Sequence, residues 1–257
     1  MKVIGFCNLK GGVGKTTACQ NIAVALASQG FRVAILDMDP QSNLSTGCGI
    51  TLQESQRYIY DFLIGETGLF DVAVEREGVL VLPSSLDLAI MEMQLESEPG
   101  RDLLLKSALE PLLAEDSLDY IFCDSPPQLG LFTRNVLAAA NSLFVPLESE
   151  FYSLAGLRLL TKTVELFQKR LNKKLDIGGV ALTRHNPKIV VNRQVEKEAL
   201  NYFGELFFRR FIRQNISLVE AASAGVSIFG YDCESKGAKD YLRLAEEFQE
   251  KFGAHHG

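Results

Sequence analysis

The sequence is poor in the side chains that build disulfide frameworks, zinc sites and hydrolytic triads. Its five cysteines are odd in number and include no CxxC pair, and its three histidines are His185, His255 and His256. The cysteine pattern argues against a disulfide framework or a zinc ribbon and predicts free thiols, mostly packed in the core. The histidines form no Ser/His/Asp or Cys/His pattern along the chain, so no nucleophilic hydrolase is indicated.

Long apolar runs and an excess of positive charge are also lacking. No apolar run approaches the roughly 20 residues that span a bilayer, so we expect no membrane partner. The net charge of −6 gives no general attraction to nucleic acid, and DNA binding would require a local basic patch. The amino terminus enters the strand-like run KVIGFCN without a charged leader or cleavage site, which predicts a cytoplasmic protein.

The pattern that is present is that of an α/β protein. With 257 residues, of which 47% are hydrophobic, we expect a single domain over residues 1–257. Several β-branched runs are apolar on both faces and alternate with helical patterns, which predicts a doubly wound, mostly parallel sheet of about seven or eight strands with helices on both faces. The predicted strands are 2–8, 31–37, 78–83, 119–124, 141–147, 176–183 and 205–212, and the predicted helices are 15–29, 86–97, 101–114, 131–140, 152–170, 191–203 and 237–252.

The segment CNLKGGVGKTTAC at residues 7–19 has the composition of a phosphate-binding loop. Lys15 in such a loop reaches the β- and γ-phosphates, and the Thr16 hydroxyl is the expected Mg²⁺ ligand. The helix that follows adds free N–H groups and its dipole. A tight turn would explain the glycines alone, but the strand, loop and helix occur in the order that a nucleotide site requires. The predicted contacts are Gly11, Gly12, Val13, Gly14, Lys15, Thr16 and Thr17.

Acidic residues follow two of the predicted strands. Asp37 and Asp39 end the second strand, and Asp124 ends the 119–124 run before Ser-Pro-Pro. In an open α/β sheet these ends point into the ligand crevice. We expect Asp124 to hold Mg²⁺ through water, Asp39 to orient the attacking water beside the metal, and Asp37 to serve the strand end structurally. Helix caps and turns are the alternative explanation. Segment 40–60 is expected to rearrange with the nucleotide.

The loop sequence KGGVGKTT resembles the deviant Walker A motif of the ParA/MinD ATPases, because Leu9 stands where an ordinary phosphate loop has glycine and Lys10 follows it. The resemblance implies that Lys10 reaches into the nucleotide site of a partner subunit, which makes Lys10, Lys15 and Asp39 the expected catalytic residues. A solvated loop charge is the alternative for Lys10.

Four further segments are similar to the ParA/Soj branch of this family, and one of them, EFYSLAGLRLL, is similar to the helix that follows its switch II. VAILDMDPQSNLS is similar to its switch I, DYIFCDSPPQLGLFTRNVLAAA to its switch II, and NISLVEAASAGVSIFGYDCESKGAKDY to its carboxy-terminal segment. The resemblance implies an adenine-binding turn at Arg213, Gln214 and Asn215. It also implies an ATP- and Mg²⁺-dependent homodimer, non-specific binding of double-stranded DNA, nucleoid association in the ATP state, and slow hydrolysis stimulated by a ParB-like partner during chromosome or plasmid segregation.

Two departures from the family concern DNA. Gln214 and Ser217 replace family arginines, and the arginine at the position of Ser217 is one that the family uses on DNA. Other basic residues could compensate by forming a basic face; a solvated charged face balanced by nearby glutamates is the alternative. The candidate DNA contacts are Arg184, Lys188, Arg193, Arg209 and Arg210.

Two other functions stay open at this stage. One keeps the ATPase and changes its cargo to a chemotaxis, secretion or carboxysome-like assembly. The other is a metabolic enzyme or metal carrier of the same fold. A metal cluster shared by two subunits needs cysteines near their seam, and neither Cys48 nor Cys123 fits that position well.

Overall fold

The computed structural model describes residues 1–53, 56–95, 97–115, 117–150 and 153–253, without the side chains of 153–157. In these ranges seven strands form one sheet in the order β3-β4-β2-β5-β1-β6-β7. All strand pairs are parallel except β3 with β4. The strands are β1 Lys2–Phe6, β2 Val33–Asp37, β3 Val74–Arg76, β4 Val79–Leu82, β5 Tyr120–Asp124, β6 Ser142–Glu148 and β7 Asp176–Thr183.

The seven predicted helices are confirmed with shifts of a few residues, and five shorter helices join them. Residue 152, where one predicted helix begins, lies outside the described residues. The helices are α1 Lys15–Ser28, α2 Asn43–Gly47, α3 Ile59–Leu63, α4 Leu69–Val72, α5 Asp87–Gln94, α6 Leu104–Leu113, α7 Leu131–Ala139, α8 Ser153–Arg170, α9 Val190–Phe203, α10 Ser217–Ala224, α11 Ile228–Asp232 and α12 Lys236–Phe252.

The sheet separates two hydrophobic clusters, so helices cover both faces as predicted. Along β5, Ile121 and Cys123 belong to the cluster that includes α6 and α7. Tyr120 and Phe122 belong to the cluster that includes α1 and α12. The alternation follows from the two-residue period of a strand, and it explains why this run is apolar on both faces.

One predicted strand is wrong. Within residues 205–212 the structure shows one isolated bridge beside β7, with Phe207 opposite Val180, and no named strand. The backbone N–H groups of Arg209 and Arg210 each donate to the Glu247 carboxylate of α12 over 2.8 Å. Because a side chain takes these donors, a regular ladder cannot form at these two residues. The short antiparallel strand β3 was missed.

The cysteines behave as predicted. All five are free thiols, and Cys7, Cys19, Cys48 and Cys123 are buried whereas Cys233 is exposed. Burial raises the pKa of Cys7 and of Cys48 to about 12. Thiols of this kind are inert packing groups at neutral pH. Among the described residues, no helix combines the length and the apolar character needed to cross a membrane.

Candidate nucleotide site

The phosphate loop is fixed by its glycines and by a contact to β7. Gly12 and Gly14 have φ angles of 74° and 85°, in the left-handed region that side chains disfavour. The Thr183 hydroxyl donates to the carbonyl of Val13 over 2.8 Å. The loop therefore turns tightly between β1 and α1 and presents the N-terminus of α1, the arrangement that binds phosphate.

Lys15 is held inside this loop. The residue is 6% exposed, and its ammonium group donates to the carbonyl of Lys10 over a long 3.4 Å. Burial lowers the pKa of Lys15, although the negative charge of Asp124 opposes that shift. A buried cation with one weak acceptor is suited to a phosphate oxygen, which would supply a charge-assisted hydrogen bond.

The predicted Mg²⁺ residues meet at the end of β5. The Thr16 hydroxyl donates to Asp124 Oδ2 over 2.7 Å. The other oxygen, Asp124 Oδ1, is buried and finds no hydrogen-bond donor in the described part of the chain. Burial first, and then the charge of Asp37, raises the pKa of Asp124 to about 8. Oxygen donors with an unsatisfied buried atom fit a hard divalent cation such as Mg²⁺.

The two aspartates of β2 have different surroundings. Asp37 is fully buried and accepts from both the N–H and the hydroxyl of Ser45, at 2.9 and 2.7 Å. Burial raises the pKa of Asp37 to about 6 against these hydrogen bonds. Its partners confirm the structural role predicted for it. Asp39 follows at the surface of the crevice, 9% exposed, and its Oδ1 accepts from the N–H of Gln41 over 2.9 Å.

Lys10 forms ion pairs with acidic residues of its own chain, a contact that was not predicted from the sequence. Its ammonium group is 2.8 Å from Glu148 Oε2 and 2.5 Å from Glu150 Oε2. Burial would lower the pKa of Lys10, but the hydrogen bonds to the two glutamates raise it overall. Glu148 also accepts from Arg184 over 3.1 Å. The role of Lys10 toward a partner subunit stays a prediction.

A cavity of about 590 Å³ extends from the phosphate loop to the predicted adenine turn. Val13, Gly14 and Thr17 line one part of it, and the turn Arg213, Gln214 and Asn215 lines another, so the structure brings these predicted residues together. The Arg213 guanidinium binds both oxygens of Asp240 in α12, at 2.8 and 2.6 Å, which ties the turn to that helix. Lining residues that the sequence analysis missed are Glu148, Ser149, Glu150, Thr183, Ile189, Asn192, Ile212, Ile216, Leu218, Val219, Ala222 and Tyr241.

The candidate DNA residues divide into two places. Arg184 lines the nucleotide cavity and pairs with Glu148. Arg209 and Arg210 are exposed and line a second cavity of about 280 Å³, together with Pro187 and the previously unrecognised Arg243 of α12. Close in sequence to Pro187, Lys188 is exposed, and the guanidinium of Arg193 donates to the carbonyls of both residues, at 2.9 and 3.1 Å. We call Lys188, Arg193, Arg209, Arg210 and Arg243 the basic face.

A serine, a histidine and an acid do meet in space, although no such pattern shows along the chain. His185 Nδ1 lies 2.8 Å from the Ser149 hydroxyl, and its Nε2 lies 3.1 Å from Glu196 Oε2. The nitrogen roles are the reverse of those in hydrolase triads, where serine meets Nε2. Ser149 and His185 are 3% and 1% exposed, and Asn192 also donates to the carbonyl of Ser149 over 2.6 Å. The group therefore joins the end of β6 to α9.

The fold and this site define a class. A mostly parallel sheet with a lysine-rich phosphate loop after β1 and aspartates after β2 and β5 is the architecture of a P-loop ATPase with a deviant Walker A motif. A family model described as an AAA domain matches residues 1–177.

Two curated relatives give the family. The chain is 39% identical over 249 residues to the chromosome partitioning protein ParA of Caulobacter vibrioides, covering 96% of this chain and 93% of that protein. It is 40% identical over 248 residues to the sporulation initiation inhibitor protein Soj of Bacillus subtilis, covering 96% and 97%. The chain belongs to the ParA/Soj family of partition ATPases.

Solved structures agree on the fold and on the cofactor. Cobyrinic acid a,c-diamide synthase from Mycobacterium smegmatis, with bound ADP and magnesium, has a TM-score of 0.84 and 29% identity, covering 99% of this chain and 96% of that one. The cell division ATPase MinD of Pyrococcus furiosus has a TM-score of 0.79 and 26% identity, covering 97% and 98%. The expected cofactors, ATP and Mg²⁺, are consistent with these neighbours and with the oxygen donors of Thr16 and Asp124.

Proposed function

We propose that this protein is an Mg²⁺-dependent ATPase that dimerises with ATP, binds double-stranded DNA without sequence preference, and segregates a chromosome or plasmid with a ParB-like partner that stimulates hydrolysis. The observation that carries the proposal is the phosphate loop, in which Lys15 is buried beside Asp124 while a second cation, Lys10, lies at its outer edge. In this proposal the protein is cytoplasmic and associates with the nucleoid in its ATP state.

The residues of one chain supply most of the catalytic site. Lys15 and the N-terminus of α1 hold the β- and γ-phosphates, and Thr16 with Asp124 would hold Mg²⁺. When bound, the metal neutralises charge that develops on the phosphates. Asp39 at the end of β2 orients the attacking water, because phosphoryl transfer depends mainly on positioning and on charge rather than on a strong base.

Lys10 makes the site depend on a second copy. In the single chain its ammonium group is paired with Glu148 and Glu150, so it contributes no charge to its own phosphates. Dimerisation with ATP would exchange these carboxylates for the phosphates bound by the partner. A cation supplied in trans accelerates phosphoryl transfer in other NTPases by ~10³ to 10⁵.

DNA binding is assigned to the basic face. The chain carries a net charge of −6, so attraction must be local. The cluster of Arg209, Arg210 and Arg243 provides it, and a dimer presents the cluster twice. Three or four phosphate contacts per subunit suffice for non-specific dissociation constants of ~10⁻⁴ to 10⁻⁶ M.

The test measures binding of non-specific duplex DNA at low salt with ATP, with ADP and without nucleotide. An Asp39→Ala variant slows hydrolysis, and mass measurements run in parallel. We expect a dimer with ATP alone, which binds DNA and is released by salt. A protein that dimerises with ATP yet ignores DNA would refute the DNA step and would favour a positioning ATPase with a different cargo, to be identified by pull-down of the neighbouring gene product.

The mycobacterial neighbour suggests a second candidate, an ATP-dependent amide-forming enzyme on the same fold, since its name is that of a diamide synthase. Release of ADP that requires glutamine or ammonia and a carboxylic acid would support this candidate, and DNA-independent turnover without them would oppose it. A metal cluster shared by two subunits would need accessible cysteines near their seam, whereas Cys48 and Cys123 are buried.

A further inference from the structure

The outer face of α5 is apolar and exposed. Leu86, Ile90 and Met93 follow an i, i+4, i+7 spacing, which places them on one side of the helix. They are 67%, 54% and 77% exposed. The opposite side carries Leu88 and Met91, which are buried in the core. Single exposed apolar residues are common, but three neighbours on one side of so short a helix form a patch of the kind that binds another protein.

The surroundings of this patch are acidic. Residues 78–100 contain four acidic residues, Asp87, Glu92, Glu96 and Glu98, and neither lysine nor arginine. Residues 125–133, between β5 and the first turn of α7, contain no charged residue at all. A partner segment that complements this stretch of sequence is apolar on one side and basic at its edges.

Helix α5 and the residues just before it are hydrogen-bonded to the segment after β2 and to the start of α7. Before its first turn, the Ser84 hydroxyl donates to the carbonyl of Asp39 over 2.7 Å. The N–H of Ser84 donates to the Ser45 hydroxyl, which in turn donates to Asp37. At the other end, Glu92 accepts from the N–H of Leu131 over 2.6 Å, at the start of α7 and just after the loop that follows Asp124.

We infer that the Leu86, Ile90 and Met93 patch is the docking site for a basic amphipathic helix of the stimulating partner protein. This inference rests on the proposed function and adds to it the surface and the chemistry of the partner. A helix docked there contacts a segment that is bonded to the carbonyl of Asp39 on one side and, on the other, to Leu131 at the end of the loop that follows Asp124. Docking therefore acts on both acidic strand ends without entering the nucleotide cavity.

The test uses the full chain with ATP and Mg²⁺ and a labelled synthetic peptide of about five helical turns, with leucine on one face and lysine elsewhere. A peptide of the same composition in scrambled order is the control for charge alone. We expect the amphipathic peptide to bind and to accelerate hydrolysis. Ile90→Lys should weaken its binding by about 10-fold or more, since the substitution removes an apolar side chain from the patch and adds a positive charge.

Two further variants separate docking from its consequence. Leu166→Lys, at a 46% exposed leucine of α8, is the matched control and should bind the peptide as the wild type does. Glu92→Ala removes the hydrogen bond to Leu131, so the peptide should still bind within about 3-fold while its stimulation of hydrolysis disappears. Equal binding of the peptide to wild type and Ile90→Lys, or equal binding of the scrambled peptide, would overturn the inference.

The same samples distinguish this inference from the proposed function. If Ile90→Lys keeps the ATP-dependent dimer and DNA binding, and the peptide ignores the wild type, only the docking site fails. If the wild type forms no ATP-dependent dimer, the proposed function fails on its own measurement. If Ile90→Lys abolishes the dimer, the patch is covered by a second copy of the chain, and the inference is overturned.

Discussion

The nucleotide site and the basic face lie at neighbouring parts of the same molecule and are built in opposite ways. In the site, Lys15 and Asp124 are buried, and Thr16 is bonded to Asp124 over 2.7 Å. On the basic face, Arg209 and Arg210 are exposed, and their backbone N–H groups donate to Glu247. A buried, mutually bonded group acts as a unit, whereas exposed charges act through a screened field. Substitutions should therefore have abrupt effects in the site and graded effects on the face.

The largest effect is expected from Lys10→Ala. This variant tests whether a substitution at the edge of the nucleotide site has the abrupt effect expected inside it. Removal of a cation that completes a partner's site should lower the hydrolysis rate by ~10³ or more. Binding of one nucleotide to the monomer should persist, because Lys15 and Thr16 are unchanged. Hydrolysis is measured as the rate of phosphate release, and nucleotide binding by the monomer is measured at equilibrium. Lys106→Ala, at an exposed lysine of α6, is the control, and unchanged hydrolysis in Lys10→Ala would contradict the prediction.

The next effect concerns Asp124→Asn. Asparagine keeps the size of the side chain but removes its negative charge and replaces one of the two carboxylate oxygens, of which one binds Thr16 and the other is buried, with an NH₂ group. Loss of such a group next to a metal site lowers metal affinity by about 10- to 100-fold. Titration of hydrolysis with Mg²⁺ should therefore shift its midpoint upward by that factor. The midpoint for Asp37→Asn serves as comparison, and equal midpoints for wild type and Asp124→Asn would place the metal elsewhere.

Graded effects should appear on the basic face. Arg209→Ala, Arg210→Ala and Arg243→Ala should each weaken DNA binding several-fold, and the slope of log affinity against log salt should fall by about 1 for every phosphate group that the variant no longer neutralises. Measurements at several salt concentrations with the ATP dimer provide the slopes. Arg170→Ala, at an exposed arginine that ends α8, should leave the slope unchanged. An all-or-none loss of DNA binding from one arginine would remove the distinction between the two regions.

The smallest effect is a pH dependence of stability at His185, the link between β6 and α9. Burial lowers the pKa of His185, although the negative charge of Glu196 opposes the shift. Because the unfolded chain then binds a proton more readily than the folded one, the free energy of unfolding should fall as the pH drops below about 6.5. Urea titrations at pH 7.5 and 5.5 (chosen to bracket about 6.5) measure the free energy of unfolding. Its difference between the two pH values should be smaller for His185→Asn than for wild type. Equal differences would mean that another group causes the slope.

The phosphate loop and the acidic strand ends could be predicted because their chemistry is local. A few residues fix each turn, and the parallel pairing of β2 with β5 then places Asp37 opposite Asp124 at one edge of the sheet. The long helices were predicted for the same reason, since each carries its own periodic pattern. Gly12 and Gly14 lie where the motif requires left-handed backbone.

Features that depend on distant partners were not predictable in this way. The pairing of Lys10 with Glu148 joins two segments far apart in the chain. The run 205–212 has the apolar pattern of a strand, yet Glu247 occupies two of its backbone donors, those of Arg209 and Arg210. Short helices such as α2 and α11 are five residues long, too short for a periodic pattern. Arg243 was not predicted, because the sequence of α12 mixes acidic and basic residues. It lies beside Arg209 only in the folded chain.

The single exposed thiol has a practical consequence for handling the purified protein. Cys233 lies between α11 and α12 and is accessible to dyes, whereas the four other cysteines are buried. One fluorophore per chain can therefore be attached to the natural sequence, close to the helix whose Asp240 binds Arg213 of the predicted adenine turn. The same thiol can oxidise to a covalent dimer without any nucleotide. Such a species would have the mass expected of the ATP dimer, so association measurements require a reductant throughout.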